Sequence, residues 1–274
     1  MAKQKTAEGT SIKASEAFKR RLVAKHTDVV EQTTMNRSVN MSNALISSAQ
    51  GLSLVEKRIM CLAVAGLDSR RHYGQEAPVV TVNANDYAEL ADIKPENAYK
   101  ELEEGVKRLY ERSIHFESSW KHPTRNKIST AKVSMRWVGR AKYIEGQGHI
   151  ELAFWWEIMP HLTLLKERFT SYKLSQAAAI RSLYSWRLLE LLSQFESTGW
   201  REFTVEDFSK TLELPETYLK NFSHIKKRVI EPAVKELQAK DGWIIKVTYK
   251  KTGRKITRIR FDFQRDPQGD LFRA

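Results

Sequence analysis

Apolar positions recur at helical spacing in some stretches of this chain and alternate in others, and the two patterns follow one another in the same order twice. Over residues 52–67, Leu52, Val55, Ile59, Met60, Leu62, Ala63 and Leu67 keep a 3.6-residue period. Ser53 with Glu56 three positions on makes a capping box and sets the start of that helix. Val79-Val80-Thr81-Val82 predicts a short strand, and Asn85 or Asp86 caps a short helix to Leu90. Pro95-Glu96 opens a longer helix, since proline suits the first turn, with Ala98, Leu102, Val106 and Leu109 as its buried stripe. Strand-like runs follow at 114–116, 128–138 and 149–155. Basic polar residues separate the first two and Gly146-Gln147-Gly148 the later two, so hairpins forming a sheet and a wing are expected. Phe154-Trp155-Trp156 and residues 158–165 form an apolar block, read as core and a short helix.

The pattern then repeats. Ser175 caps a helix over 177–195 whose apolar face includes Leu183, Trp186 and Leu189, and Gly199 ends it. Thr204 caps the next helix, Pro215 turns the chain, and residues 223–240 carry Ile225, Val229, Ala233, Val234 and Leu237 on one face. Pro232 inside that face either kinks one helix or marks the first turn of a second. Residues 243–249 and 256–263 alternate as a hairpin around Thr252-Gly253, the expected wing. Thr81-Val82, Asp86-Tyr87, Ile93 and Pro95-Glu96 in the first half answer to Thr204-Val205, Asp207-Phe208, Leu214 and Pro215-Glu216 in the second. The first copy's Ser113-Ile114-His115-Phe116 is matched to the second copy's Trp243-Ile244-Ile245-Lys246-Val247. Such duplication points to an α+β fold of two tandem winged-helix domains related by internal duplication, two copies being too few for a solenoid. The expected division is a mobile basic arm over 1–34, a first winged helix over 35–165, a second over 166–265 and a tail over 266–274.

Charge sharpens this picture. The 274 residues carry a formal net charge of +13, and the pI is about 9.7. That balance implies a polyanionic partner, nucleic acid before anionic membrane. Residues 220–264 hold 13 Lys/Arg against four Asp/Glu, a net of +9. Lys226, Lys227 and Arg228 stand at the front of the predicted helix, while Lys250, Lys251, Arg254, Lys255, Arg258 and Arg260 line the hairpin. A helix front for the major groove beside a basic hairpin for the backbone is a winged-helix arrangement. Arg228 is the expected bidentate guanine reader, with Ser223 and His224 in reach of base edges. In the first copy Glu101, Glu103 and Glu104 share a helix with Asn97, Lys100, Lys107 and Arg108, so weaker phosphate binding is expected there. Asn97 and Lys100 remain candidate base readers, and Arg125, Lys127, Lys132, Arg136 and Arg140 supply a basic hairpin surface. Lys19-Arg20-Arg21 in the arm either touch phosphates or belong to a solvated tail.

Other function classes find little support. Cys61, the only cysteine, lies in an apolar run, so no intrachain disulfide and a buried small hydrophobe are expected, in a reducing, cytoplasmic setting. No apolar run is long enough to cross a bilayer, and residues 1–25 lack a signal-peptide h-region. The seven histidines include no His-x-His pair and no His-x3-5-His spacing, and there is no phosphate-binding G-x-x-x-x-G-K-[ST] loop. No enzyme, no metal and no cofactor are therefore expected. The alternative is a tandem winged-helix transcriptional repressor without a role in replication. An RNA-binding scaffold is more remote, since the aromatic RNP pattern is missing.

Several blocks occur in a familiar order: Met41-Ser42-Asn43-Ala44-Leu45, Leu54-Val55-Glu56-Lys57-Arg58, Arg168-Phe169-Thr170-Ser171-Tyr172-Lys173-Leu174, residues 183–192 and residues 225–237. Over residues 36–265 the chain resembles the initiator replication proteins of bacterial iteron-containing plasmids. The resemblance implies tandem winged helices that bind origin iterons in double-stranded DNA. It implies monomers that open the origin, in equilibrium with homodimers that bind an operator inverted repeat and repress the initiator's own gene. Dimerisation through the first domain, conversion by chaperones, and engagement of the host initiator and helicase follow from the same resemblance. Lys226, Lys227 and Arg228 match the family's basic triplet, whereas the first-domain helix matches less clearly. Separately, Gln268-Gly269-Asp270-Leu271-Phe272 resembles the peptide by which bacterial replication proteins dock on the sliding clamp, Leu271 and Phe272 filling an apolar pocket beside Gln268 and Asp270.

Overall fold

The computed structural model describes residues 33–74, 78–121, 128–143 and 146–266. The arm with Lys19, Arg20 and Arg21, the hairpin residues Arg125 and Lys127, and the tail residues Gln268, Asp270, Leu271 and Phe272 lie outside the described residues.

A 3-10 turn at Thr34–Asn36 leads into β1 (Ser38–Ser42), which pairs antiparallel with β7 (Phe169–Lys173), Val39 opposite Tyr172. Ser42 closes β1 and caps α1 (Asn43–Ser47), its hydroxyl accepting from the Leu45 N–H. α2 (Leu54–Ala65) starts at the expected capping box: Ser53 Oγ accepts from Glu56 N–H, and the Glu56 carboxylate accepts from Ser53 N–H. α2 is buried on every side rather than along one stripe, Glu56, Lys57 and Arg58 included.

β2 (Val79–Asn83) runs into α3 (Ala84–Ala91) and α4 (Pro95–Tyr110). The helix cap is Asn83, not Asn85 or Asp86, because the chain leaves the extended region as soon as β2 ends. α4 buries Ala98, Leu102, Val106 and Leu109 as its spacing predicts. Gly105 lies on the same face, and a Cβ there would come within 2.6 Å of Ile59 Cδ1 and 2.8 Å of Val55 Cγ1, so α4 and α2 approach closely.

Four strands follow, and they divide between two sheets. β3 (Ser113–Lys121) pairs only with β4 (Ile128–Arg136) as a named strand, while β5 (Val138–Tyr143) and β6 (His149–Phe154) join β2 in the order β2-β6-β5. The single run expected over 128–138 is thus broken at Trp137, which is buried and donates its indole N–H to the Gln50 carbonyl at 2.9 Å. A 3-10 turn at Trp156–His161 buries Ile158 and Met159.

The helix expected over 177–195 is two: α5 (Leu174–Ala177) and α6 (Leu183–Ser193). Ala179 between them has a positive φ of 59°, and Ser182, rather than Ser175, caps α6. β8 (Trp200–Thr204), α7 (Val205–Thr211) and α8 (Glu216–Leu219) come next. α9 (Phe222–Ile225), a π turn (Lys226–Ile230) and α10 (Glu231–Asp241) then run end to end. β9 (Trp243–Thr252) and β10 (Lys255–Arg265) form a hairpin turning at Gly253, and the sheet order is β8-β10-β9. Phe203, Phe208 and Phe261 pack against one another beneath it, ring centroids 5.5–6.1 Å apart.

The halves repeat in detail. Each has an edge strand, a short helix, a longer helix and a hairpin whose second strand is central, the second half adding the four-residue α8 between its two helices. In both, the short helix ends in a left-handed residue, Asp92 or Glu213, with a six-residue bond closing over it: Ile93 N–H to Ala88 O, and Leu214 N–H to Ser209 O. The counterpart of β9 is therefore β5, not the Ser113–Phe116 stretch matched to it from sequence. The hairpin β3–β4 is an addition peculiar to the first half.

Candidate nucleic-acid interface

The second domain gathers most of the expected contact residues. Pro232 lacks the N–H that would close the α-helical turn and crowds the carbonyl four residues back. The chain answers with a π turn, Glu231 N–H bonding Lys226 O, so one continuous helix is widened at the basic triplet. Lys227 and Arg228 are exposed and Lys226 is half-buried, while Val229 and Ile230 turn inward.

The wing lies against this helix. Tyr249 of β9 meets the Phe222 ring edge-on at 5.3 Å and carries Lys226 Nζ 5.5 Å from its centroid. Arg228 lies over the ring of Tyr218 on α8, 5.5 Å from the centroid, and the His224 ring packs on the same tyrosine at 6.1 Å. Ser223 and His224 are half-buried in the turn before the triplet. Neither tyrosine stood out in the sequence, because a cation–aromatic pair between separate elements leaves no local spacing.

Wing cations fall into two groups. Lys251, Arg254 and Lys255 are exposed around the turn. Lys250 and Arg258 face each other across the strands and share one carboxylate, Glu202 of β8, at 2.6 and 3.1 Å. The Lys250 hydrogen bond, with Arg258 beside it, holds the Glu202 carboxyl below its ordinary range. Arg260 pairs with Asp262 at 2.7 Å and covers the Trp200 ring.

In the first domain Asn97 and Lys100 are exposed at the front of α4. Lys107 is tied to Glu103 at 2.8 Å, and Arg108 reaches both Glu56 and Glu104. Lys132 is exposed on β4, and Arg136 binds the Tyr110 carbonyl and Glu111. Both belong to the additional hairpin, so among the described basic residues assigned to a first-domain wing only Arg140, on β5, occupies the hairpin equivalent to the second wing.

Burial pushes the Cys61 thiol up to about 11, as suits a structural cysteine. Among the described residues no cluster of three or more His, Cys, Asp or Glu could hold a metal ion, and no helix is long and apolar enough to cross a membrane.

Two winged helices in tandem, the second with a basic helix front packed beside a basic hairpin, define the class as an α+β tandem winged-helix protein. The chain belongs to the initiator replication protein family: the family's first winged-helix domain matches residues 38–193 and its second matches residues 204–263. A PI protein of Escherichia coli is 25% identical over 261 residues, covering 86% of this chain and 85% of that one. A replication initiation protein of Escherichia coli is 26% identical over 236 residues, covering 84% and 70%. A crystal structure of Pi initiator protein in complex with iteron DNA has a TM-score of 0.70 at 23% identity, over 85% of this chain and 99% of that one. At that identity the likeness concerns the fold.

Proposed function

We propose that this chain initiates plasmid replication by binding iteron repeats in duplex origin DNA, helping to open the origin and recruiting host replication proteins. One observation carries the reading: half-buried Lys226 and exposed Lys227 and Arg228 stand on one helix turn, and Tyr249 of the wing packs against Lys226. That a structurally similar initiator was crystallised on iteron DNA supports the choice of ligand. Arg228, with Ser223 and His224, reads bases; Lys226, Lys227, Lys251, Arg254 and Lys255 grip phosphates. The second domain supplies most of the affinity, because Lys227, Arg228, Lys251, Arg254 and Lys255 are exposed there, whereas Lys107 and Arg108 of the first are held by that domain's own carboxylates. Asn97 and Lys100 read a neighbouring groove. No catalytic residue is assigned.

Dimers repress the initiator's own gene. Dimerisation through the first domain is supported by β4, whose outer edge has no partner strand among the described residues and whose Ile128 is 71% exposed. Unpaired edges of this kind invite strand addition. The tail around Leu271 and Phe272 docks on the sliding clamp. Footprinting on the replicon's own replication region tests the reading: protection of direct repeats by monomer and of an inverted repeat by dimer is expected. Protection of an inverted repeat alone would leave a repressor.

A further inference from the structure

The base-reading and phosphate-gripping side chains of the second domain do not stand alone on their helix. Arg228 and Lys226 are each backed by an aromatic ring from another element. Tyr218 belongs to α8, ahead of the helix that carries the triplet; its ring lies under Arg228 and beside His224. Tyr249 belongs to β9; its ring lies under Lys226 and is fixed in turn by Phe222. Both tyrosines are half-buried, so their own orientation is set by packing. Lys227, between the two cations in sequence, has no ring beneath it among the described residues.

The arrangement has a physical consequence. A long exposed arginine or lysine loses rotamer freedom when it meets DNA, and that loss weakens binding. A ring that already attracts the cation removes part of the loss in advance. For arginine there is more. A guanidinium resting on a ring by its face keeps its N–H edge free, and that edge is what pairs with O6 and N7 of guanine.

We infer that Tyr218 and Tyr249 are positioning residues for DNA recognition, Tyr218 aiming Arg228 at a base and Tyr249 holding Lys226 at a phosphate. This rests on the reading of the surface as the DNA interface, and it assigns different consequences to the two rings. Loss of the Tyr218 ring reduces discrimination at one base pair. Loss of the Tyr249 ring weakens all sequences alike.

The full-length protein would be titrated by fluorescence anisotropy onto a duplex carrying one direct repeat of its own replicon, and onto single-base variants of it, at several salt concentrations. Tyr218→Phe should bind as the parent does. Tyr218→Leu should lose roughly three- to fivefold in affinity, the worth of one exposed cation–aromatic pair, and relax one base position. Adding Tyr218→Leu to Arg228→Ala should cost nothing further. Tyr249→Leu should weaken every duplex by a similar factor and lower the salt slope by no more than about the one unit that removing Lys226 itself would cost. If a melting curve shows Tyr218→Leu unfolded, Tyr218→Met, ringless and of similar reach, replaces it. Losses that multiply in the double variant, or a Tyr218→Leu loss spread evenly over all base variants, would overturn the Tyr218 assignment. A Tyr249→Leu effect confined to one base pair would overturn the other. If Arg228→Ala itself leaves binding untouched, the interface is elsewhere and the reading of the surface fails, a result distinct from failure of the rings.

Discussion

Glu202 of β8 pairs with two of the wing's cations at once. Its carboxylate holds Lys250 and Arg258 together, and those two ion pairs hold its pKa below the ordinary carboxylate value. A depressed carboxylate keeps its pairing above its ordinary range and loses it as pH falls through the folded value, so at neutral pH both cations are engaged internally. Each phosphate contact contributes slightly under one unit to the slope of log affinity against log salt. Glu202→Gln, measured by salt titration on non-specific duplex, should therefore tighten binding and steepen the slope by up to about two. An unchanged slope would mean that this face of the sheet points away from DNA. The exposed cations at the wing's turn behave in the opposite sense: Lys251→Ala or Lys255→Ala should flatten the slope by about one and weaken all sequences equally. Arg228→Ala should cost roughly 1–3 kcal/mol and relax one base. A uniform loss for Arg228→Ala would place it on the backbone with the lysines.

At the scale of elements, the π turn is where sequence and function meet. Pro232 forces the widened turn that presents Lys226 to Arg228. Pro232→Ala restores an N–H and lets the turn tighten to α-helical register, rotating the triplet relative to Tyr249. Circular dichroism should show an equal or raised melting temperature, while specific DNA affinity falls; a fall in both would make Pro232 merely structural. Gly105→Ala tests the packing of α2 on α4. Overpacking by one methyl against Val55 and Ile59 costs about 1–3 kcal/mol, and the helix preference for alanine returns about 1, so a small net destabilisation is expected. The elements legible in the sequence were those with strong local signals: the Ser53–Glu56 box, the α4 stripe, the Thr252-Gly253 turn, and the equal spacing of Asp86 to Ile93 and Asp207 to Leu214. Those that were not legible depend on distant partners. Trp137 breaks a β-branched run because Gln50 receives its indole N–H. Lys57 in α2 is buried with its charge, because Glu190 meets it from α6 at 2.6 Å. The gap between α5 and α6 turns on the left-handed Ala179, for which alanine gives no warning.

The whole molecule is coupled by charges in places where hydrophobic residues would be expected. Glu190 gathers Lys57, Arg187 and the Tyr172 hydroxyl, and Arg187 continues to the carbonyls of Ile46, Ser48 and Thr211, joining α1, α2, β7 and α6 to the end of α7. Removing one partner from such a buried set costs roughly 3–5 kcal/mol, so Lys57→Met should lower stability sharply without touching the DNA surface. One link in this coupling is separable from folding. Glu213, in the left-handed turn of the second domain, reaches across to the N–H groups of Gln50 and Gly51 at 3.0–3.1 Å. Glycine adopts that backbone conformation without strain, so Glu213→Gly removes the carboxylate while relaxing the turn that holds it. If the two domains engage neighbouring major grooves, about 10–10.5 bp apart, their fixed spacing raises the affinity of the pair above that of either alone. Glu213→Gly loses the hydrogen bonds to Gln50 and Gly51 but relieves the turn, so it should then lower the melting temperature only modestly and leave binding to a half-site covering the second domain's groove intact. Affinity for the full site should fall, and its protection at the first domain's groove should weaken. Equal losses on half-site and full site would show that the carboxylate acts only within its own domain, and that the spacing of the two winged helices is set by the buried Arg187–Glu190 pair alone.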